Sequence, residues 1–179
     1  LGGAANVAHN IRTLGGNPTL YGVLGEDTHG ALFKHLCATH RIPVSYHSAD
    51  RPTTTKTRIV EQVHNDQVCR VDDEVENPLA SDLADRLRKQ IIGDLDNYRA
   101  VVLSDYNKGV LTPELATSVI AACRDKGIQV LVDPKPNNIS RFRDCTLLTP
   151  NLLEAQAILG ASAQTDLTGD ARLEYFCGA

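Results

Sequence analysis

The chain contains no methionine and no tryptophan, and aromatic residues fill only 4% of its 179 positions. Without an initiating methionine, and opening at Leu1-Gly2-Gly3 in what reads as a glycine turn feeding a helix, it is expected to be an internal fragment of a larger domain. Scarce aromatics and a formal net charge of −4 leave no basic stripe and no aromatic-interleaved patch, which argues against a general nucleic-acid binder. No apolar run is long enough to cross a bilayer and no signal peptide opens the chain, so no membrane role is expected. The five cysteines (Cys37, Cys69, Cys123, Cys145, Cys177) are scattered, with no C-x-x-C pair and no histidine at zinc spacing. Buried free thiols in a cytoplasmic protein are the expectation. A Ser-His-Asp nucleophile set, H-E-x-x-H and G-x-x-x-x-G-K-S/T are all missing, and the six histidines form no ligand pattern. No G-x-G-x-x-G turn follows a first strand, which makes a dinucleotide-binding oxidoreductase a poor reading.

What is present is a strand rhythm that repeats three times in the second half. Val101-Val102-Leu103 opens into Ser104-Asp105-Tyr106-Asn107-Lys108-Gly109, Val130-Leu131-Val132 into Asp133-Pro134-Lys135-Pro136, and Leu147-Leu148 into Thr149-Pro150-Asn151-Leu152-Leu153-Glu154. In open α/β sheets ligands bind beyond the carboxyl ends of the strands. Asp, Lys, Asn and Glu delivered there read as one site for a charged, metal-bearing substrate.

Helices are expected at 4–14 (Val7, Ile11 and Leu14 at helical spacing, Gly15-Gly16 as C-cap), at 28–40 with Asp27 or Thr28 as cap and Leu32, Phe33, Leu36 and Cys37 inward, and at 81–92. Strands are expected at 19–24, 43–47, 100–104, 129–133 and 146–149, with helices at 113–126 and 151–159. Pro113 and Gly127 punctuate the first of those two helices. Residues 53–63 and 67–72 alternate as a two-sided polar hairpin tipped by Asn65-Asp66, which projects from the sheet. Alternation with apolar strands predicts a parallel sheet covered on both faces.

Each candidate cluster has a plain alternative. Gly2-Gly3 before a helix lets backbone N–H groups meet hydroxyl or anionic oxygens, with Asn6 donating and accepting beside them, or it is simply a turn. Asp105 and Lys108 stand at a strand end, where Gly109 permits a turn that folds Lys108 back over the crevice; the alternative is a surface ion pair worth about 0–1 kcal/mol. Asp133 and Lys135 sit on a proline-stiffened loop, with Lys135 suited to phosphate, or the loop is simply a rigid one. Asn151 and Glu154 have capping-box spacing, and Glu154 equally suits Mg²⁺ held through water. Lys56, Arg58 and Arg70 on the hairpin either clamp a phosphate or pair across the strands.

In this order the motifs resemble the ribokinase-like (PfkB) family of sugar kinases. The likeness runs through Gly2-Gly3-Ala4-Ala5-Asn6, Leu14-Gly15-Gly16, Gly22-Val23-Leu24-Gly25-Glu26-Asp27 and Gly30. Thr55-Lys56-Thr57-Arg58, Arg70-Val71-Asp72-Asp73-Glu74, Tyr106-Asn107-Lys108-Gly109 and Asn151-x-x-Glu154 favour the branch that acts on heptose 7-phosphate. The resemblance implies a three-layer α/β sandwich with a mostly parallel central sheet and a hairpin lid (about 44–74), the fragment lacking the first strand and the C-terminal part. It implies ATP- and Mg²⁺-dependent phosphorylation of the anomeric hydroxyl of D-glycero-D-manno-heptose 7-phosphate in ADP-heptose synthesis for the lipopolysaccharide core, and a homodimer through the lid. Gly2, Gly3, Asn6, Lys56, Arg58, Arg70, Asp105 and Lys108 would bind the sugar phosphate. Lys135 and Asn151, Leu152, Leu153 and Glu154 would hold the nucleotide, with Asp133 and Glu154 toward the metal. The family's Gly-Ala-Gly-Asp turn, which supplies the base, is expected downstream of Ala179; Leu167-Thr168-Gly169-Asp170 is only an echo of it. The fragment alone is therefore expected to be inactive, and a non-catalytic sugar-phosphate-binding or dimerising module, or a kinase for another sugar, is the alternative.

Overall fold

The computed structural model describes residues 1–64 and 66–159. The hairpin tip Asn65, Cys177 and the 167–170 echo lie outside the described residues. The chain divides into two compact units, Leu1–Asp94 with Lys108–Thr112, and Leu95–Asn107 with the residues from Pro113 onward.

In the first unit, α1 (Ala4–Thr13) precedes β1 (Leu20–Leu24), α2 (Thr28–Thr39) and β2 (Val44–Ser48). β1 and β2 are parallel, in register from Leu20↔Val44 to Leu24↔Ser48. α2 begins where Asp27, in extended backbone, accepts the Gly30 N–H at 2.7 Å on Oδ1, an N-cap of the expected kind. The other Asp27 oxygen accepts the Thr53 N–H at 2.7 Å, tying the helix start to the approach of the hairpin. β3 (Thr55–Val60) and β4 (Gln67–Asp73) form an antiparallel ribbon with a bulge between Ile59 and Val60. The stretch 44–74 expected as the lid thus divides between two sheets, β2 beside β1 and the ribbon 55–73. α3 (Ser81–Asp94) closes the unit.

Around Ala8, Cys37 and Ile42 a buried cluster gathers Leu20, Phe33 and Val44. Two expectations about inner faces are corrected here. The residues of α1 that bury fully are Ala5 and Ala8, whereas Leu14 is 87% exposed; small side chains are what let this helix pack closely. Leu32 on α2 is also exposed.

The second unit holds β5 (Ala100–Ser104), α4 (Pro113–Asp125), β6 (Gln129–Asp133), β7 (Leu147–Leu148) and α5 (Leu152–Leu159). The strands are parallel in the order β5-β6-β7, and Thr146 and Thr149 extend the last pairing through bonds to Val130 and Val132. α4 buries Leu115, Ala116, Val119, Ile120 and Cys123, in a core shared with Leu103, Val130, Val132 and Phe142. Each fully buried Leu, Ile, Val or Phe among them contributes about 1.5–3 kcal/mol. Register puts Val102, Leu131 and Leu147 in one row, and Val102 and Leu147 stay substantially exposed, so the cover expected on both faces is partial among the described residues. The loop after β6 is not open but winds as a 3₁₀ turn, Pro136–Phe142, whose fixed proline φ starts it. Of the thiols, Cys37 and Cys123 are buried as expected, Cys145 is half-buried, and Cys69 is exposed on the ribbon.

Candidate active site

In the second unit the polar residues gather where β5, β6 and β7 end. Ser104 pairs with Asp133, and the Asp105 N–H donates to the Asp133 carbonyl at 3.0 Å, so the two acidic residues are fixed by the ladder itself. Asp105 is 4% exposed. Its Oδ1 accepts the Asn107 N–H at 2.8 Å and its Oδ2 accepts from Asn138 Nδ2 at 2.7 Å. Asn107 sits at φ 54°, a left-handed conformation Asn tolerates.

Asp133 is the carboxyl of the cluster whose charged form its surroundings disfavour. Burial pushes its carboxyl above the ordinary value, the Glu154 charge adds to this, Lys135 opposes it, and Asp105 adds again. Lys135 Nζ reaches Glu154 Oε1 at 2.8 Å, and that contact holds Lys135 above and Glu154 below their usual values. The other Glu154 oxygen accepts the Asn151 N–H at 2.9 Å, while Asn151 Oδ1 accepts the Glu154 N–H at 3.0 Å. The capping box is therefore formed, and Glu154 still has an oxygen for Lys135. Leu152 and Leu153, beside them on α5, are exposed.

In the first unit, Gly3 caps α1 at φ 54°, ψ −137°, a backbone for which glycine is suited, and Asn6 lies exposed in the first turn. On the ribbon, Lys56 stands directly across from Asp72 and bonds to it at 2.7 Å and to Glu74 at 2.9 Å. Arg70 bonds to Asp72 at 2.9 Å. Lys108 is held by Glu74 at 2.6 Å and Glu76 at 2.8 Å, which raise its pKa. Gly109 makes that possible. It lies at φ 72° with its Cα against the Asn77 carbonyl, where a Cβ would collide. Arg51 fastens the same stretch by donating to the carbonyls of Val75, Asn77 and Lys108.

Lys56, Arg70 and Lys108 thus share one network centred on Asp72 and Glu74. Arg58 faces Arg70 across the ribbon in register. Among the described residues no three His, Cys, Asp or Glu side chains cluster as metal ligands. Sequence reasoning missed Asn138, whose only signal was an Asn two residues past a proline in a strand-end loop. It also missed Arg51, whose carbonyl partners leave no trace in a motif.

A parallel sheet whose strands end in an acidic and basic cluster is the α/β arrangement that places ligands beyond the strand ends. The model of the pfkB family of carbohydrate kinases matches residues 1–173, and the chain belongs to that family. Among curated proteins it is similar to the bifunctional protein HldE of Geobacter metallireducens, 36% identical over 93% of this chain and 34% of that protein. It is likewise similar to HldE of Shewanella loihica, 43% identical over 96% of this chain and 35% of that protein. The chain spans about a third of the length of these relatives. Among solved structures it is similar to the tetrameric inhibited form of phosphofructokinase-2 from Escherichia coli, with TM-score 0.78 and 24% identity over 99% of this chain and 57% of that chain. The same enzyme in complex with fructose-6-phosphate gives TM-score 0.77 at 23% identity over 99% of this chain and 57% of that chain. These likenesses establish the ribokinase-like fold.

Proposed function

We propose that this chain is the sugar-kinase portion of a protein that transfers a phosphoryl group from ATP, with Mg²⁺, to the anomeric hydroxyl of D-glycero-D-manno-heptose 7-phosphate in ADP-heptose synthesis. The observation that carries the choice of sugar is the 36–44% identity to proteins named HldE across 92–96% of the chain. It agrees with the Tyr106-Asn107-Lys108-Gly109 signature.

Phosphoryl transfer of this kind depends on positioning and charge neutralisation. Asp133 and Glu154 offer hard oxygen donors, and the penalty that burial and Glu154 impose on the Asp133 carboxylate is one that a divalent cation relieves. Mg²⁺ commonly takes one or two carboxylates and fills its shell with phosphate oxygens and water, so a two-carboxylate site fits it. Bound there with ATP, it would neutralise phosphate charge. Lys135 supplies a point charge to the same phosphates, Asn151 orients them from the start of α5, and Leu152 and Leu153 give the nucleotide an apolar edge. Gly2, Gly3 and Asn6 are assigned to the sugar hydroxyls. Lys56, Arg58, Arg70 and Lys108 are assigned to the 7-phosphate. Two guanidiniums directly opposite each other weaken a ladder, and a bridging phosphate turns that cost into two charge-assisted contacts. The protein is assigned to the cytoplasm, with a second copy covering the apolar face of the ribbon.

The test is steady-state kinetics of the full-length protein with Mg-ATP and either heptose 7-phosphate or fructose 6-phosphate. The expected result is a kcat/KM at least about a hundredfold higher for the heptose, as a site built on specific polar contacts gives. Arg58→Ala is expected to raise the sugar KM and leave that for ATP unchanged. Equal use of both sugars, or no ATP-dependent turnover, would overturn the assignment.

A further inference from the structure

We infer that Asn138 is a positioning residue for the kinase reaction: it locks the Asp105 carboxylate inside the protein, so that Asp105 anchors the 105–109 turn and does not itself contact the sugar phosphate. This rests on the kinase reading above.

Three observations converge. Asp105 and Asn138 are each 4% exposed, so neither side chain faces solvent where a substrate would have to meet it. Both Asp105 oxygens are engaged, one by the Asn107 backbone N–H at 2.8 Å and the other by Asn138 Nδ2 at 2.7 Å. Asn138 Nδ2 also reaches Asn107 Oδ1 at 3.0 Å, closing a triangle over three residues. A carboxylate buried with two donors is a strong local tie, because charge-assisted bonds gain in a low dielectric and an unmet donor there is costly.

What the triangle holds is the Asn107 end of the turn. Asn107 is at φ 54° and Gly109 at φ 72°, conformations that an L-residue adopts at a cost and that Asn and Gly adopt most readily. Lys108 lies between them. Its side chain is held by Glu74 and Glu76, and the left-handed residue before it is fixed by Asp105 and Asn138. Asn138 itself is placed by the 3₁₀ turn, where its N–H donates to the Lys135 carbonyl at 2.9 Å. The turn after β6 is thereby tied to the Asn107 end of the turn after β5.

The experiment is a double-mutant cycle in the full-length protein with Asn138→Ala, Asp105→Asn and the pair, read two ways. Amide hydrogen exchange at Asn107 and Lys108, without ligands, is expected to speed up about ten- to a hundredfold in each single variant and no further in the pair, as for groups that act as one unit. With Mg-ATP and heptose 7-phosphate, each single variant and the pair are expected to raise the sugar KM by a similar factor and leave the ATP KM unchanged. General destabilisation would instead lower kcat through the active fraction. Additive effects would overturn the inference. So would an Asp105→Asn protein that loses activity while Asn138→Ala retains it, which would make Asp105 a substrate ligand. If the wild-type protein phosphorylates neither sugar, the kinase reading fails, and amide exchange still decides whether the triangle holds the turn.

Discussion

At the scale of single residues, Asp27 shows how one side chain can serve two elements. It caps α2 through Gly30 and fixes the approach to β3 through Thr53, and these two backbone N–H bonds, Thr53 first, hold its carboxyl below the ordinary value of 3.8. A carboxylate depressed in the folded state contributes stability that is fully present above its unfolded value and is lost as pH falls through the folded one. Asp27→Asn removes an acceptor and the charge, so the variant is expected to be less stable than wild type near neutrality. The gap should close as pH falls below about 4. Urea midpoints measured from about pH 2.5 to 7 check this, and a gap that stays constant across that range would mean that Asp27 contributes no charged contact. The Asp27 cap was legible because Asp before a helical period is a local signal. Its second partner, Thr53, was not, since 26 residues separate them.

At the scale of elements, the legible ones were those that carry their own punctuation. Pro113 and Gly127 bracket α4, whose C-terminal turn ends with Gly127 at φ 68°, and the β5 and β6 apolar runs gave their bounds. Inner faces were less legible. Periodicity marks apolar spacing but not how near the neighbouring layer lies, so Ala5 and Ala8 lost out in reading to larger residues such as Leu14. The 3₁₀ turn at Pro136–Phe142 was hidden because two prolines suggested only stiffness. α5 allows a direct test of an element's start. Its capping box satisfies two backbone donors at Asn151 and Glu154, and replacing an N-cap Asn by Ala typically costs about 0.5–2 kcal/mol. Asn151→Ala is expected to lower the thermal midpoint of the ligand-free protein by about 2–4 °C per kcal/mol lost. Calorimetry of the variant would show this, and an unchanged midpoint would mean that the Lys135–Glu154 pair alone holds the helix start.

At the scale of the whole molecule, the family was legible from short motifs, but the pairing of charges was not. Lys108 meets Glu74 across 34 positions, and nothing in the local sequence of either selects the other. The ribbon divides its chemistry by face, as strand alternation requires. Lys56, Arg58, Arg70 and Asp72 share one side; Thr57, Ile59, Cys69 and Val71 share the other, with Ile59 48% and Val71 55% exposed. An isolated two-stranded ribbon is marginal in water, and an apolar face on one adds the cost of hydrating it. Both costs fall if a second copy lays its own ribbon on that face, an isologous contact in which Val71 of each chain approaches the symmetry axis region of the other. Sedimentation velocity of the wild type is expected to give a dimer, and Val71→Arg, which places a charge in that contact while leaving the opposite face intact, is expected to give a folded monomer by circular dichroism. A wild type that sediments as a monomer at about micromolar concentration, where a standard-sized interface would hold, would rule the contact out. A Val71→Arg protein that remains dimeric would place the interface away from this face.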